Sequence, residues 1–243
     1  MNIFFIITSL TTWTPNIPDT KGYDTYKTAP FHPSIHNFGN TGIFGRLHAN
    51  SAGIATRCID RFAYKGRNMR REVAQGIRQI KYSNTSVIDV GCGVGILTKE
   101  LYKSGFEDVT GLDTSLEMLN TARKLSRYSP ISYRCMNGVD FEKDVDLAII
   151  SMVMHEMPTT AHIAMTQNLL KCTEKRKGEV WIIDIDPVYQ PSNTMLSGEP
   201  FALNYLQSVD NTLNEIAHTL EKKIETFSII PNHVRGWVIS HES

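Results

Sequence analysis

From Ser83 onward the hydrophobic positions of this chain follow two alternating rhythms. Short, nearly continuous apolar runs ("SVIDVG", "DVTGLD", "ISYRC", "VDLAIIS", "EVWIIDID") are separated by stretches in which apolar residues recur every three or four positions ("ILTKELYKSG", "TSLEMLNTARKLSR", "TAHIAMTQNLLKCTE"). The runs have strand length and the spaced stretches helix length. Such alternation predicts a parallel sheet with helices on both faces, and the apolarity of "VDLAIIS" fits a strand covered on both sides. A helical stretch over 201–222 follows, then two β-like pieces, "IETFSII" and "RGWVIS", around the turn-like "PNHV". These predict an antiparallel hairpin at the end of the sheet. In the second helix Thr114 and Glu117 have capping-box spacing. Leu119, Ala122 and Leu125 mark its buried side, and Arg123, Lys124 and Arg127 suit its C-terminal dipole.

Upstream of this region the pattern is lost. Residues 13–45 are rich in Pro, Gly, Asn, His and Tyr without a sustained period, and read as a loop or lid. Residues 47–80 favour helix, with Gly53, Gly66 and Gly76 as expected breaks. The division expected is therefore a lid with cap helices over 1–80 and an α/β core over 81–243. At 243 residues the chain can bury one substantial core, and its 41% hydrophobic and 21% charged residues are ordinary for a globular protein.

Charge alters the picture only locally. The 25 Lys and Arg balance the 25 Asp and Glu, so no global field favours nucleic acid or an anionic membrane. Between Arg57 and Lys81, however, stand Arg57, Arg61, Lys65, Arg67, Arg70, Arg71, Arg78 and Lys81 against Asp60 and Glu72. This is either a solvated helix face or an anion- or RNA-facing patch. Cys58, Cys92, Cys135 and Cys172 are scattered, with neither zinc spacing nor a disulfide framework, which fits a reducing compartment. The apolar run Ile3 to Ile7 is far too short to span a bilayer and lacks a positive flank, so a cytoplasmic location is expected ahead of a secretory signal. His32 and His36 are four apart, but Pro33 breaks a helical metal pair, and no metal is expected.

The chemistry concentrates in "VIDVGCGVGILT". In parallel sheets ligands bind beyond the carboxyl ends of the strands, where strand order reverses, so the first strand-to-helix turn should carry Gly91, Gly93 and Gly95. The spacing is G-x-G-x-G, one residue short of the dinucleotide fingerprint. Asp89 stands two residues ahead of Gly91, an awkward place for an anion facing a pyrophosphate but a good one beside a cation. Asp113 ends the second strand, where a carboxylate can accept both hydroxyls of a ribose. The implied ligand is a positively charged nucleoside.

At these residues the chain resembles the class I S-adenosylmethionine-dependent methyltransferases of the small-molecule type. The resemblance rests on "VIDVGCGVG", "VTGLDTSLEMLNTAR" and "DLAIISMVMHEMP" in that order, and covers about 83–240. It implies a Rossmann-like, doubly wound, seven-stranded sheet, mostly parallel with a C-terminal antiparallel hairpin, beneath an N-terminal helical cap or lid. It also implies S-adenosylmethionine as cofactor and S-adenosylhomocysteine as product. Asp89 and the Gly91, Cys92, Gly93 and Gly95 backbone would meet the methionine part, and Asp113 the ribose. Thr114 and Met118 would border the adenine. Relatives place Gly-Asp-Ala after the third strand; here "NGVDFE" displaces the acid, leaving Asp140 or the Val139 backbone for the adenine amino group. Ser151 would face the cofactor through its backbone.

His155, in "SMVMHEMP", is expected at the active-site mouth as a substrate-orienting group or general base. Tyr23, Tyr26, His32, His36, Asn37, Arg46 and His48 form a polar and aromatic set expected to fold over the site. Tyr23 belongs with the cofactor there, and Tyr26 and His36 with catalysis. The resemblance implies a small-molecule acceptor, a carboxylic acid among the candidates, clamped by Arg46, Arg67, Arg70 or Arg71. Oxygen is favoured as acceptor atom over sulfur and nitrogen. RNA is disfavoured because no Asn/Asp-Pro-Pro-aromatic motif follows the fourth strand. A binding subunit without turnover is the remaining rival.

Overall fold

The computed structural model describes residues 42–241. Seven strands form one sheet in the order β3-β2-β1-β4-β5-β7-β6. They are β1 (Ser86–Val90), β2 (Asp108–Asp113), β3 (Ser132–Cys135), β4 (Leu147–Ser151), β5 (Glu179–Ile185), β6 (Lys222–Ile230) and β7 (Val234–His241). The first five pair in parallel, and β7 runs antiparallel to both β5 and β6. All five residues of β1 are buried, as are the first four of β4, which explains their unbroken apolarity. The order reverses between β1 and β4, and that is the place where such sheets open a crevice.

Two apolar layers cover the sheet. On one face α2 (Met69–Ile80) and α3 (Ile96–Lys103) bury Met69, Val73, Ala74, Ile77, Leu97 and Leu101. On the other, α5 (Thr159–Glu174) and α7 (Ala202–Thr219) bury Met165, Leu169, Tyr205, Val209 and Leu213. The buried face of α2 thus belongs to the core layer, although it lies upstream of residue 81. The helix α1 (Gly42–Phe62) packs on α4 (Leu116–Leu125), and the Gly42 N–H donates to the Glu117 carboxylate at 2.9 Å. A short α6 (Asn193–Gly198) precedes α7. No helix among the described residues is long and apolar enough to cross a membrane.

Several local expectations need correction. Ser115, not Thr114, caps α4 and accepts from the Met118 N–H, while Glu117 serves α1 instead of a capping box. The buried side of α4 is Met118, Leu119 and Ala122; Leu125 is half exposed. Helices run through Gly53 and Gly76, and only Gly66, at φ +83°, falls in a break. Helix burial outweighed the cost of about 1 kcal/mol for an interior glycine. None of the four cysteines is in a disulfide.

Candidate active site

A cavity of about 560 Å³ lies over the carboxyl ends of the parallel strands, and each of β1 to β5 feeds it. Gly91, Cys92 and Gly93 follow β1, and Asp113 and Thr114 end β2. Met136 and Asn137 follow β3, Ser151 to Val153 follow β4, and Ile185 ends β5. His48, Ser51, Ala52, Ala55, Thr56 and Ile59 of α1 supply a wall.

The glycine loop is shaped by left-handed backbone at Gly91 (φ +69°), Gly93 (φ +54°) and Gly95 (φ +74°), a region closed to most side chains. The three glycines serve different ends. A Cβ on Gly91 would strike the Val153 side chain at 2.5 Å, and one on Gly95 the Tyr133 hydroxyl at 2.5 Å, so both permit close protein packing. Gly95 does not line the cavity. Gly93 does, and a Cβ there would meet open space, so its backbone is the part of the loop a ligand can approach. The Gly93 N–H donates to Asp113 Oδ2 at 2.8 Å, and the Ser115 N–H to Asp113 Oδ1 at 2.8 Å. These bonds hold the carboxylate at the edge of the cavity, which Asp113 lines.

Asp89 is 2% exposed and accepts from the Thr98 hydroxyl at 2.6 Å. Burial pushes its pKa up to about 7 against the Thr98 hydrogen bonds, and the Asp113 charge adds to the rise. Burial likewise pushes the Cys92 thiol up, with the charges of Asp113 and Asp89.

Thr114, Met118 and Ser151 line the cavity, whereas Val139 is buried away from it and Asp140 is on the surface. Beyond β3 the cavity is lined instead by Asn137, which sequence reasoning missed. Its Oδ1 accepts from the Val139 N–H at 3.3 Å, and its Nδ2 is buried without a hydrogen-bond partner. The Ser151 hydroxyl is also buried and without a partner. Two orphaned polar atoms beside an open glycine cradle fit a polar ligand such as an adenosyl group, because a buried polar atom left unpaired costs about 1–3 kcal/mol. The signal was available: Asn137 stands just beyond β3 as Asp113 stands at the end of β2.

The far end of the cavity is built around Asp184, a second residue missed. It is fully buried on β5 and accepts from the backbone N–H of Met154 at 2.7 Å, Val153 at 3.1 Å and Ile185 at 2.7 Å. Its Oδ1 lies 2.6 Å from His155 Nδ1. Met152 turns the chain toward it in the left-handed region at φ +58°. Burial alone would lower the His155 pKa, but the charge and hydrogen bond of Asp184, with the charges of Glu156 and Glu199, raise it to about 10. Tyr205 meets the rings of His155 and His162 edge-on and donates to the Ile185 carbonyl at 2.8 Å. His162 lies 2.6 Å from the Met154 carbonyl, and burial lowers its pKa.

The basic stretch disperses. Arg67 pairs with Glu72, Lys81 pairs with Glu179 at 2.6 Å, and Arg78 donates to the Lys81 carbonyl at 2.9 Å. Arg46 and Arg71 are exposed. Arg70 is the one Arg or Lys lining the cavity among the described residues; its Nη1 is buried without a hydrogen bond, 3.9 Å from Asp60. Tyr23, Tyr26, His32, His36 and Asn37 lie outside the described residues.

This sheet order, with a glycine loop after β1 and an acid ending β2, is the Rossmann-like fold of the methyltransferase structures it resembles. Residues 87–178 match the methyltransferase-domain family. The chain is 31% identical over 86 residues to a ubiquinone biosynthesis O-methyltransferase of Hydrogenovibrio crunogenus, a match covering 33% of this chain and 35% of that protein. It is 32% identical over 93 residues to the Neisseria meningitidis serogroup C protein of the same name, covering 35% of this chain and 39% of that one. The matched stretches therefore span well under half of these relatives. Among solved structures, the plantazolicin methyltransferase BpumL in complex with SAH has a TM-score of 0.58 at 18% identity, covering 81% of this chain and 95% of that one. Magnesium protoporphyrin IX methyltransferase (ChlM) from Synechocystis PCC 6803 with bound SAH has a TM-score of 0.57 at 17% identity, covering 82% and 98%.

Proposed function

We propose that the protein transfers the methyl group of S-adenosylmethionine to a small-molecule acceptor, with oxygen as the favoured acceptor atom. The observation that carries this reading is a single cavity joining the glycine loop and Asp113 to His155 and Arg70. About 560 Å³ is in the range of small-molecule sites. The relatives named O-methyltransferases support oxygen.

The cofactor supplies an already activated methyl group. The chain's own residues bind, orient and exclude water. Asp113, held by the Gly93 and Ser115 N–H groups, would hold the ribose hydroxyls. Asn137 Nδ2 would serve the adenine ring, and the Gly93 backbone would hold the methionine part. Asp89 places negative charge near the cationic centre. Arg70 is suited to a carboxylate, of the methionine part or of the acceptor. His155 holds its proton at neutral pH, so in the chain alone it orients the acceptor as a donor and is in the wrong state for a general base. Alignment and exclusion of water then provide most of the rate.

The test is transfer of label from methyl-labelled S-adenosylmethionine into an extract separated into small molecules, RNA and protein, with Asp113→Ala as control. Label in the small-molecule fraction, lost with the control, is the expected result. Label confined to RNA or protein would overturn the acceptor class, and cofactor binding with no labelled fraction would favour a binding subunit.

A further inference from the structure

We propose that His155, Glu156 and Glu199 form a site for a first-row divalent cation at the acceptor end of the cavity, whose open position takes an oxygen of the acceptor. The proposal rests on the methyl-transfer reading above and names the acceptor class within it. One donor atom from each of the three residues lies within 4.8 Å of the other two, and all three residues line the cavity. Donors sharing an ion at bonds of about 2.0–2.2 Å stand roughly 3–4 Å apart, so modest rotation of the two glutamates completes the set.

The geometry behind His155 supplies the second, independent observation. Its side chain is only 8% exposed, and Nδ1 is engaged by the fully buried Asp184 carboxylate at 2.6 Å. Nε2 is thus the ring atom left to serve the cavity. A carboxylate behind an imidazole keeps the Nδ1 proton while an arriving cation displaces the proton on Nε2, the arrangement metal-bound histidines generally have. Asp184 is itself locked by the Val153, Met154 and Ile185 N–H groups, and Tyr205 packs edge-on against the His155 ring.

The three residues come from two elements. His155 and Glu156 lie in the 3₁₀ turn Met154–Glu156 after β4, and Glu199 caps the end of α6, where its N–H donates to the Met195 carbonyl at 2.9 Å. One nitrogen and two carboxylates suit Mn²⁺, Co²⁺ or Zn²⁺ better than Ca²⁺ or a soft metal. Three protein donors leave at least one position open. Val153, two residues before His155, packs on Gly91, so the three donors and the glycine loop share one cavity.

The test is titration of the full chain with Mn²⁺, followed by electron paramagnetic resonance of free Mn²⁺, alongside calorimetry of S-adenosylhomocysteine binding to the same preparation. Expected is one saturable Mn²⁺ site per chain, displaced by Zn²⁺. Glu156→Gln and Glu199→Gln should each weaken it at least tenfold while leaving the thermal midpoint within a few degrees. Glu199, at the end of a short helix, is the variant least dependent on the core. No saturable site below 1 mM would overturn the proposal and leave the cluster a hydrogen-ion network. Binding unchanged in Glu199→Gln would overturn it too. If S-adenosylhomocysteine binds while Mn²⁺ does not, the metal site fails and the methyl-transfer reading stands. If S-adenosylhomocysteine does not bind, the methyl-transfer reading fails, whatever Mn²⁺ does.

Discussion

Asp113 and Asn137 both stand at strand ends, yet their loss should be felt differently. Asp113→Ala removes the acceptor for two loop N–H groups as well as the proposed ribose contact, so S-adenosylhomocysteine affinity should fall about 10- to 100-fold, the equivalent of about 1–3 kcal/mol. Asn137→Ala should weaken binding about fivefold or more, and Asp140→Ala, on the surface, should not change it. Calorimetry on the three variants ranks them, and equal losses at Asn137 and Asp140 would remove Asn137 from the adenine site. Asp89 carries a pH dependence. Its carboxyl is raised to about 7 from an ordinary 3.8, so the folded state binds the extra proton between those values. Its stability contribution is therefore complete below about pH 4 and is lost as pH rises through about 7. A cationic ligand beside it favours the ionised form. Cofactor binding should release a proton near pH 6–7 and tighten as pH rises across that range, which calorimetry in buffers of differing ionisation enthalpy detects.

At the scale of elements, the β1-to-α3 turn separates stability from affinity. Gly95→Ala forces a side chain into φ +74° and against the Tyr133 hydroxyl, and should cost about 1–3 kcal/mol of stability with little direct effect on the ligand. Gly93→Ala meets no protein atom, so it should cost about 1 kcal/mol from backbone strain and lose affinity more than tenfold as its methyl enters the cradle. Denaturant melts paired with S-adenosylhomocysteine titrations distinguish the two. If Gly93→Ala binds normally, the ligand does not lie along that backbone. The α1 helix is tied to α4 through Gly42 and Glu117 and forms a wall of the cavity that the strand ends open into.

For the whole molecule, a ligand that touches all five parallel strand ends and α1 should stabilise the fold as one unit. At 100 times its Kd, S-adenosylhomocysteine should add about 2.7 kcal/mol and raise Tm by roughly 5–10 °C. A scan showing no shift at saturating ligand would mean that the cavity is not its site.

The apolar runs of β1 to β5 and the glycine loop were legible from sequence because burial on both faces leaves near-continuous hydrophobicity, and tight turns demand glycine whatever their surroundings. Asp89 and Asp113 could be read for the same local reason, each being adjacent to that turn or to its neighbouring strand end. The role of Asp184 could not be, since "WIIDID" reads as one more buried strand until the chain after β4 folds back to place the Val153 and Met154 N–H groups and the His155 ring on its carboxylate. Asn137 was passed over because the motif frame pointed to Val139 and Asp140, and Arg70 was one of four candidate arginines among which nothing local could choose. Glu199 joins His155 across 44 residues of sequence through the placement of a short helix. Local chemistry is set by residues a few positions apart, and the sequence by itself determined it. Which charges meet in a cavity depends on where distant strands and helices end, and only the tertiary structure decided that.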